Sequence, residues 1–88
     1  MSKSIHSPEH AKLRELLVAA RKSAGLTQQD VADRLKRPQS FVAKYEGGER
    51  RLDVIEFVAV MRAVDHDPLQ VLGALVSGRP NRRAKPKS

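Results

Sequence analysis

Four residues in one short stretch carry groups suited to reading the edge of a nucleic-acid base. They are Gln39, Ser40, Ala43 and Lys44, within Pro38-Gln-Ser-Phe-Val-Ala-Lys-Tyr-Glu46. At about 100° per residue of helix, Ser40, Ala43 and Lys44 lie opposite Val42 and Tyr45, with Gln39 at the leading edge. An amide, a hydroxyl, a methyl and an ammonium then share one face. Gln pairs bidentately with adenine, Lys donates to guanine acceptors, and a methyl can touch thymine. Taken alone, the same face reads equally well as an ordinary solvated surface. Its surroundings favour the first reading. Arg37, Arg50 and Arg51 flank the stretch on both sides, where guanidinium groups can grip phosphate and set register. Any one of them could be a plain solvated side chain, but three around one helix point to a polyanion. A preceding helix start offers free backbone N–H groups to phosphate, with Gln28 and Gln29 beside them. Phe41 lies on the flank and suits packing at the core edge better than contact with a sugar. Tyr45 suits the core, with its hydroxyl at the surface.

These side chains need two short helices set close together. Thr27 can cap the first through its hydroxyl, and Asp30, three residues on, can reach back as in a capping box. Val31, Ala32 and Leu35 give that helix one apolar face. Pro38 suits the first turn of a new helix and cannot continue the old one. Gly47 and Gly48 supply the positive φ that ends a helix cheaply. The spacing predicts helices over about 28–35 and 38–46, a helix-turn-helix.

The run Gly25-Leu-Thr-Gln-Gln-Asp-Val-Ala-Asp-Arg-Leu, followed by Arg37-Pro-Gln-Ser-Phe-Val-Ala-Lys-Tyr-Glu-Gly-Gly-Glu-Arg50, resembles the lambda-repressor/Cro type of helix-turn-helix, the xenobiotic-response-element (XRE) family. The likeness extends from about Leu13 to Leu75. It implies a lambda-repressor-like fold and a transcriptional regulator. It also implies that Gln28 meets the DNA backbone next to the recognition helix, and that Glu46 is structural. One departure is Lys36, at a turn position where that family usually has Gly. If the backbone there is left-handed, Lys carries a strain of about 1–2 kcal/mol.

The rest of the chain builds a core around this pair. Ser7-Pro8-Glu9 is a helix start: a hydroxyl cap, Pro at the first position and an acid in the first turn. Leu13, Leu16, Leu17, Ala20 and Ala24 follow at helical spacing, and Gly25 ends a helix of about residues 8–24. Asp53 and Glu56 mark another start, for a helix of about 54–65 whose apolar residues cannot all point one way. Asp67-Pro68 opens a fifth, about 68–76. Nothing has the alternation of a strand. The expected fold is all-α, five helices around one core. It comprises a flexible N-terminus (1–7), a helix-turn-helix domain (8–77) and a disordered basic tail (78–88).

At 88 residues the chain is one small domain with a modest core. The net charge is +7, of which +5 lies in the last ten residues, leaving +2 for the remainder. Binding to a polyanion must therefore rest on where charges sit rather than on bulk charge. With no Cys and three scattered His, no metal site or thiol chemistry is expected, and no cofactor. No catalytic constellation appears: Ser40 has no His placed to activate it, and Gly47-Gly48 follows a helix instead of opening a phosphate loop. The chain has neither a membrane-length apolar run nor the apolar core of a signal peptide, so a cytoplasmic protein is expected, associated with the nucleoid when bound.

Surplus apolar surface on the fourth and fifth helices either fills the core or joins two chains. A homodimer is the expectation, because twofold proteins match palindromic operators. The reading is a double-stranded-DNA-binding transcriptional regulator. The alternative is an antitoxin or coactivator-like adaptor that uses the same fold to hold a protein partner.

Overall fold

The computed structural model describes residues 7–77. Residues 1–6 of the expected N-terminal segment, and the basic tail at 78–88, lie outside the described residues. Five α-helices, and no strand, occur among the described residues: α1 (Pro8–Ser23), α2 (Gln28–Leu35), α3 (Gln39–Gly47), α4 (Val54–Ala63) and α5 (Pro68–Ser77).

The start signals act as their chemistry dictates. Ser7 Oγ accepts from the N–H of His10. Thr27 and Asp30 close a reciprocal capping box on α2, and Asp53 and Glu56 close another on α4. Each cap satisfies N–H groups with no partner inside the helix, worth about 1 kcal/mol. α3 differs. Pro38 is its N-cap rather than its first helical residue, with φ −63° and ψ 151°, and no side chain caps it.

Among the described residues, helix ends take left-handed backbone at four places. Gly25 (φ 74°) and Gly48 (φ 87°) supply it without strain. A Cβ at Gly48 would also come within 3.1 Å of Arg14 Cζ, so the Arg14 side chain would have to shift slightly to admit one. Lys36 (φ 60°, ψ 44°) closes α2 in the conformation where the XRE pattern has Gly. The N–H of Arg37 reaches back to Ala32 O at 3.0 Å and fixes the turn. Asp65 (φ 55°) ends α4 sooner than the expected residue 65, and the N–H of His66 closes on Met61 O. Apolar periodicity continues through Val64, so the sequence contains no glycine to mark that stop.

Val31 and Ala32 of α2, Phe41, Val42 and Tyr45 of α3, Leu17 and Ala20 of α1, Phe57, Val60, Met61 and Ala63 of α4, Val64 just after it, and Val71 of α5 form the buried core. Leu26 and Leu52, the first apolar residues after two helix ends, pack against it. α2 and α3 pack closely on each other, α1 supports α3 and α5, and α4 supports α2. α3 is thus braced from two sides. α4 divides its apolar residues: Val54 and Ile55 are 73% and 78% exposed while Phe57, Val60 and Met61 face the core.

Candidate nucleic-acid interface

Of the four base-reading candidates, Gln39, Ser40 and Lys44 are exposed on α3, and Ala43 is half-buried. The face is therefore narrower than an ideal helical wheel implies. Phe41 packs into the core edge, 8% exposed, with its ring edge-on to Tyr45 at 5.5 Å between centroids. Tyr45 belongs to the core, as expected, and is only 2% exposed. Burial pushes the phenol above its ordinary pKa.

A chain of hydrogen bonds ties α1, α2 and α3 together at one flank of this face. Arg21 donates bidentately to Glu46, with Nε to Oε2 at 2.7 Å and one terminal nitrogen to Oε1 at 3.1 Å. A further Arg21 nitrogen reaches Leu26 O at 2.8 Å. Glu46 Oε1 also accepts from Gln28 Nε2 at 2.9 Å, and Gln28 Oε1 accepts from Gln39 Nε2 at 2.7 Å. The ion pair is well enclosed, its side chains 12% and 6% exposed. Donating these hydrogen bonds to Glu46 raises the Arg21 pKa above its ordinary value. Glu46 is structural, as the resemblance implies. Gln28 and Gln39 are held in fixed orientation. Gln28 uses one N–H and one lone pair internally, which leaves one of each for a ligand.

The other flank has a different construction. The Phe41 ring lies against two guanidinium groups, Arg37 Cζ at 4.3 Å and Arg50 Cζ at 4.8 Å from its centroid. Arg50 donates to both oxygens of Glu56, at 3.0 and 2.8 Å, and to Arg51 O at 2.9 Å. Arg37 approaches Glu56 only to 3.6 Å. The Arg50 hydrogen bonds, then the Asp53 backbone N–H, hold the Glu56 carboxyl down at about 2. Arg51 is exposed beside them. Gln29 is exposed on α2 and donates to Asp33 one turn later at 2.8 Å.

The structure joins Gln28 to Gln39 and brings Arg37 and Arg50 together at Phe41, and it adds three residues that composition and spacing did not single out for this site. Arg21 and Phe41 anchor the flanks, and Glu56 binds Arg50 and lies 3.6 Å from Arg37. Glu56 left one signal in the sequence. Its capping-box role uses one oxygen and leaves the other for a cation, with Arg50 and Arg51 only a short loop away.

The helix-turn-helix domain family matches this chain over residues 12–74. Among solved structures, an XRE-family-like protein from Pseudomonas syringae pv. tomato is 48% identical, over 90% of this chain and 96% of that one, with a TM-score of 0.82. The restriction-modification controller protein C.AhdI from Aeromonas hydrophila is 23% identical over 74% of this chain and 98% of that one, with a TM-score of 0.67. The controller C.Esp1396I, as a tetramer in complex with its natural 35-base-pair operator, is 18% identical over 81% of this chain and 93% of that one, with a TM-score of 0.72. At their levels of identity the two controllers share the fold alone. Comparison with curated proteins gives no match. The chain belongs to the XRE family of helix-turn-helix proteins.

Proposed function

We propose that this chain is a sequence-specific double-stranded-DNA-binding transcriptional regulator that acts as a homodimer. The observation that supports it best is the exposed face of α3, held at a fixed angle by a hydrogen-bonded network on one flank and an arginine cluster on the other. Gln39, Ser40, Ala43 and Lys44 read bases; Arg37, Arg50 and Arg51, with Gln28 and Gln29, form the phosphate-facing set around them. The uncapped first turn of α3 adds backbone donors. A controller protein of the same fold is known in complex with its natural operator, which supports duplex DNA as the ligand. Catalysis has no part in this reading, and the protein works in the cytoplasm on the nucleoid. Among the described residues, no helix is long and apolar enough to cross a membrane.

Dimerisation uses the apolar surface left outside the core. Leu69, Leu72 and Val76 recur at i, i+3 and i+7 along α5, 72%, 42% and 66% exposed. Val54 and Ile55 add to the exposed apolar area on α4. Leu75, also on α5, is half-buried and makes a poorer interface residue. Leu69→Asp suits a helix start and should yield a folded monomer by sedimentation. The function is tested by titrating random-sequence duplex at two salt concentrations and by selecting sites from random DNA. The expected result is salt-dependent binding and a twofold-symmetric site with half-sites about 34–36 Å apart. Absence of duplex binding would instead favour a protein-binding adaptor.

A further inference from the structure

We infer that the two arginines against Phe41 have different jobs: Arg37 grips a DNA phosphate, and Arg50 is a positioning residue that keeps Glu56 from capturing Arg37. The inference rests on the DNA-binding reading above and assigns roles within that site.

The geometry is asymmetric around one carboxylate. Arg50 occupies both Glu56 oxygens at 3.0 and 2.8 Å, and the backbone N–H of Asp53 adds a third bond to Oε1 at 3.0 Å. Arg37 is left with a 3.6 Å approach to Oε2, longer than a hydrogen bond, and its side chain is 44% exposed. Its other support is the face of Phe41 at 4.3 Å. A cation held in this way is placed but not committed. It sits two residues before Gln39, where α3 would enter a groove and where a flanking phosphate would pass.

Arg50 is in the opposite position. To donate to a phosphate it must leave a bidentate pair and a bond to Arg51 O. Leaving would uncover the Glu56 carboxylate beside a polyanion. Protonation offers no escape, because even at its ordinary value of 4.5 the Glu56 carboxyl is charged at neutral pH. The like-charge repulsion this creates opposes the contact it would gain. While Arg50 stays, the cluster of Arg37, Arg50 and Glu56 presents one net positive charge, and Arg37 carries it at the more exposed position.

Removing Arg50 should therefore silence Arg37 as well. Glu56 would offer Arg37 the vacated bidentate site, and Arg37 already lies 3.6 Å away. The test is a double-mutant cycle on binding to a short random-sequence duplex, read as the slope of log K against log salt. Arg37→Ala should flatten the slope by about 0.9, the value for one phosphate contact. Arg50→Ala should flatten it by a similar amount, and the double variant should flatten it no further. Independent grips would instead add, to about 1.8, and would overturn the inference. A second readout uses the wild-type protein and does not depend on a variant folding: the Nε–Hε resonances of the arginines by 15N NMR during duplex titration. Arg37 should shift, and Arg50 should keep its free-state position. If duplex binds and Arg50 shifts with Arg37, the division of labour is wrong while the DNA-binding reading stands. If no duplex binds, both fall.

Discussion

The two flanks of α3 are built from the same pair of charges and differ in their access to water. On one, Arg21 and Glu46 are 12% and 6% exposed and sit within a network that spans three helices. On the other, Glu56 is 17% exposed, and its partners Arg37 and Arg50 are 44% and 37% exposed. Burial makes the first pair costly to break, because a charge left alone in a low dielectric has no substitute partner. Exposure makes the second pair adjustable, because water and salt can replace either member. One flank therefore sets the angle of the recognition helix, and the other keeps cations ready beside it. The contrast can be broken by substitutions on either side.

The largest effect should come from the enclosed flank. Glu46→Ala removes the acceptor for Arg21 and Gln28 and strands the Arg21 guanidinium. The expected loss is about 3 kcal/mol of folding stability, at the low end for a buried pair, measured by urea denaturation. Arg21→Ala should match it. If Glu46→Ala costs no more than Glu56→Ala, burial is not what separates the two flanks.

The face between the flanks comes next. Lys44 is exposed, so Lys44→Ala leaves no cavity. On a selected cognate duplex it should cost about 1–3 kcal/mol and relax preference at one base position per half-site. Arg51→Ala should instead weaken cognate and random duplex alike, because phosphate is blind to sequence. Equal weakening by Lys44→Ala would place Lys44 with the gripping residues and leave reading to Gln39 and Ser40.

Lys36 lies in the turn that joins the flanks, after the helix of Gln28 and before Arg37. Its left-handed backbone makes Lys36→Gly a stabilising change on the order of 1 kcal/mol, after the greater entropy of Gly in the unfolded chain is set against the relief of strain. Thermal unfolding checks it, and a lower Tm would show that Lys36 makes a compensating contact. Duplex affinity should not change if the turn only connects the two flanks.

Signals confined to one turn of chain were legible without the structure. Both capping boxes, the Pro38 break and the Gly48 stop locate α2, α3 and the start of α4 to within a residue. Pairings between elements were not, because they depend on crossing angles that periodicity does not encode. The Gln28–Gln39 hydrogen bond and the Arg21–Glu46 pair each join different helices, 11 and 25 residues apart in sequence. Ala43 shows the same limit in burial: the wheel puts it on the outward face, and in the fold it is half-buried. The two Arg37 and Arg50 roles were indistinguishable in sequence for a related reason. Both read as cations flanking α3, and only the placement of Glu56 separates them.

The smallest effect, and the one that isolates the open flank, is a pH dependence. Glu56 is held at about 2, below its ordinary 4.5, first by the Arg50 hydrogen bonds and then by the Asp53 N–H. A carboxylate whose folded pKa is depressed adds stability that is full above its unfolded pKa and is lost as pH falls through the folded one. The window for Glu56 thus runs from about 4.5 down to about 2. Its partners are well exposed, so solvent screening reduces the effect to a few degrees of Tm at neutral pH. Glu56→Gln should lower Tm by that amount at pH 7 and by progressively less through the window, vanishing below it, where the wild-type carboxyl is protonated. Glu56→Asp should keep the pH dependence, with its amplitude reduced by the shorter reach. Wild-type and Glu56→Gln melting curves should therefore converge as pH falls through the window. If the two stay parallel across it, the Glu56 charge contributes nothing to stability, and the open flank is held by the Phe41 stack alone.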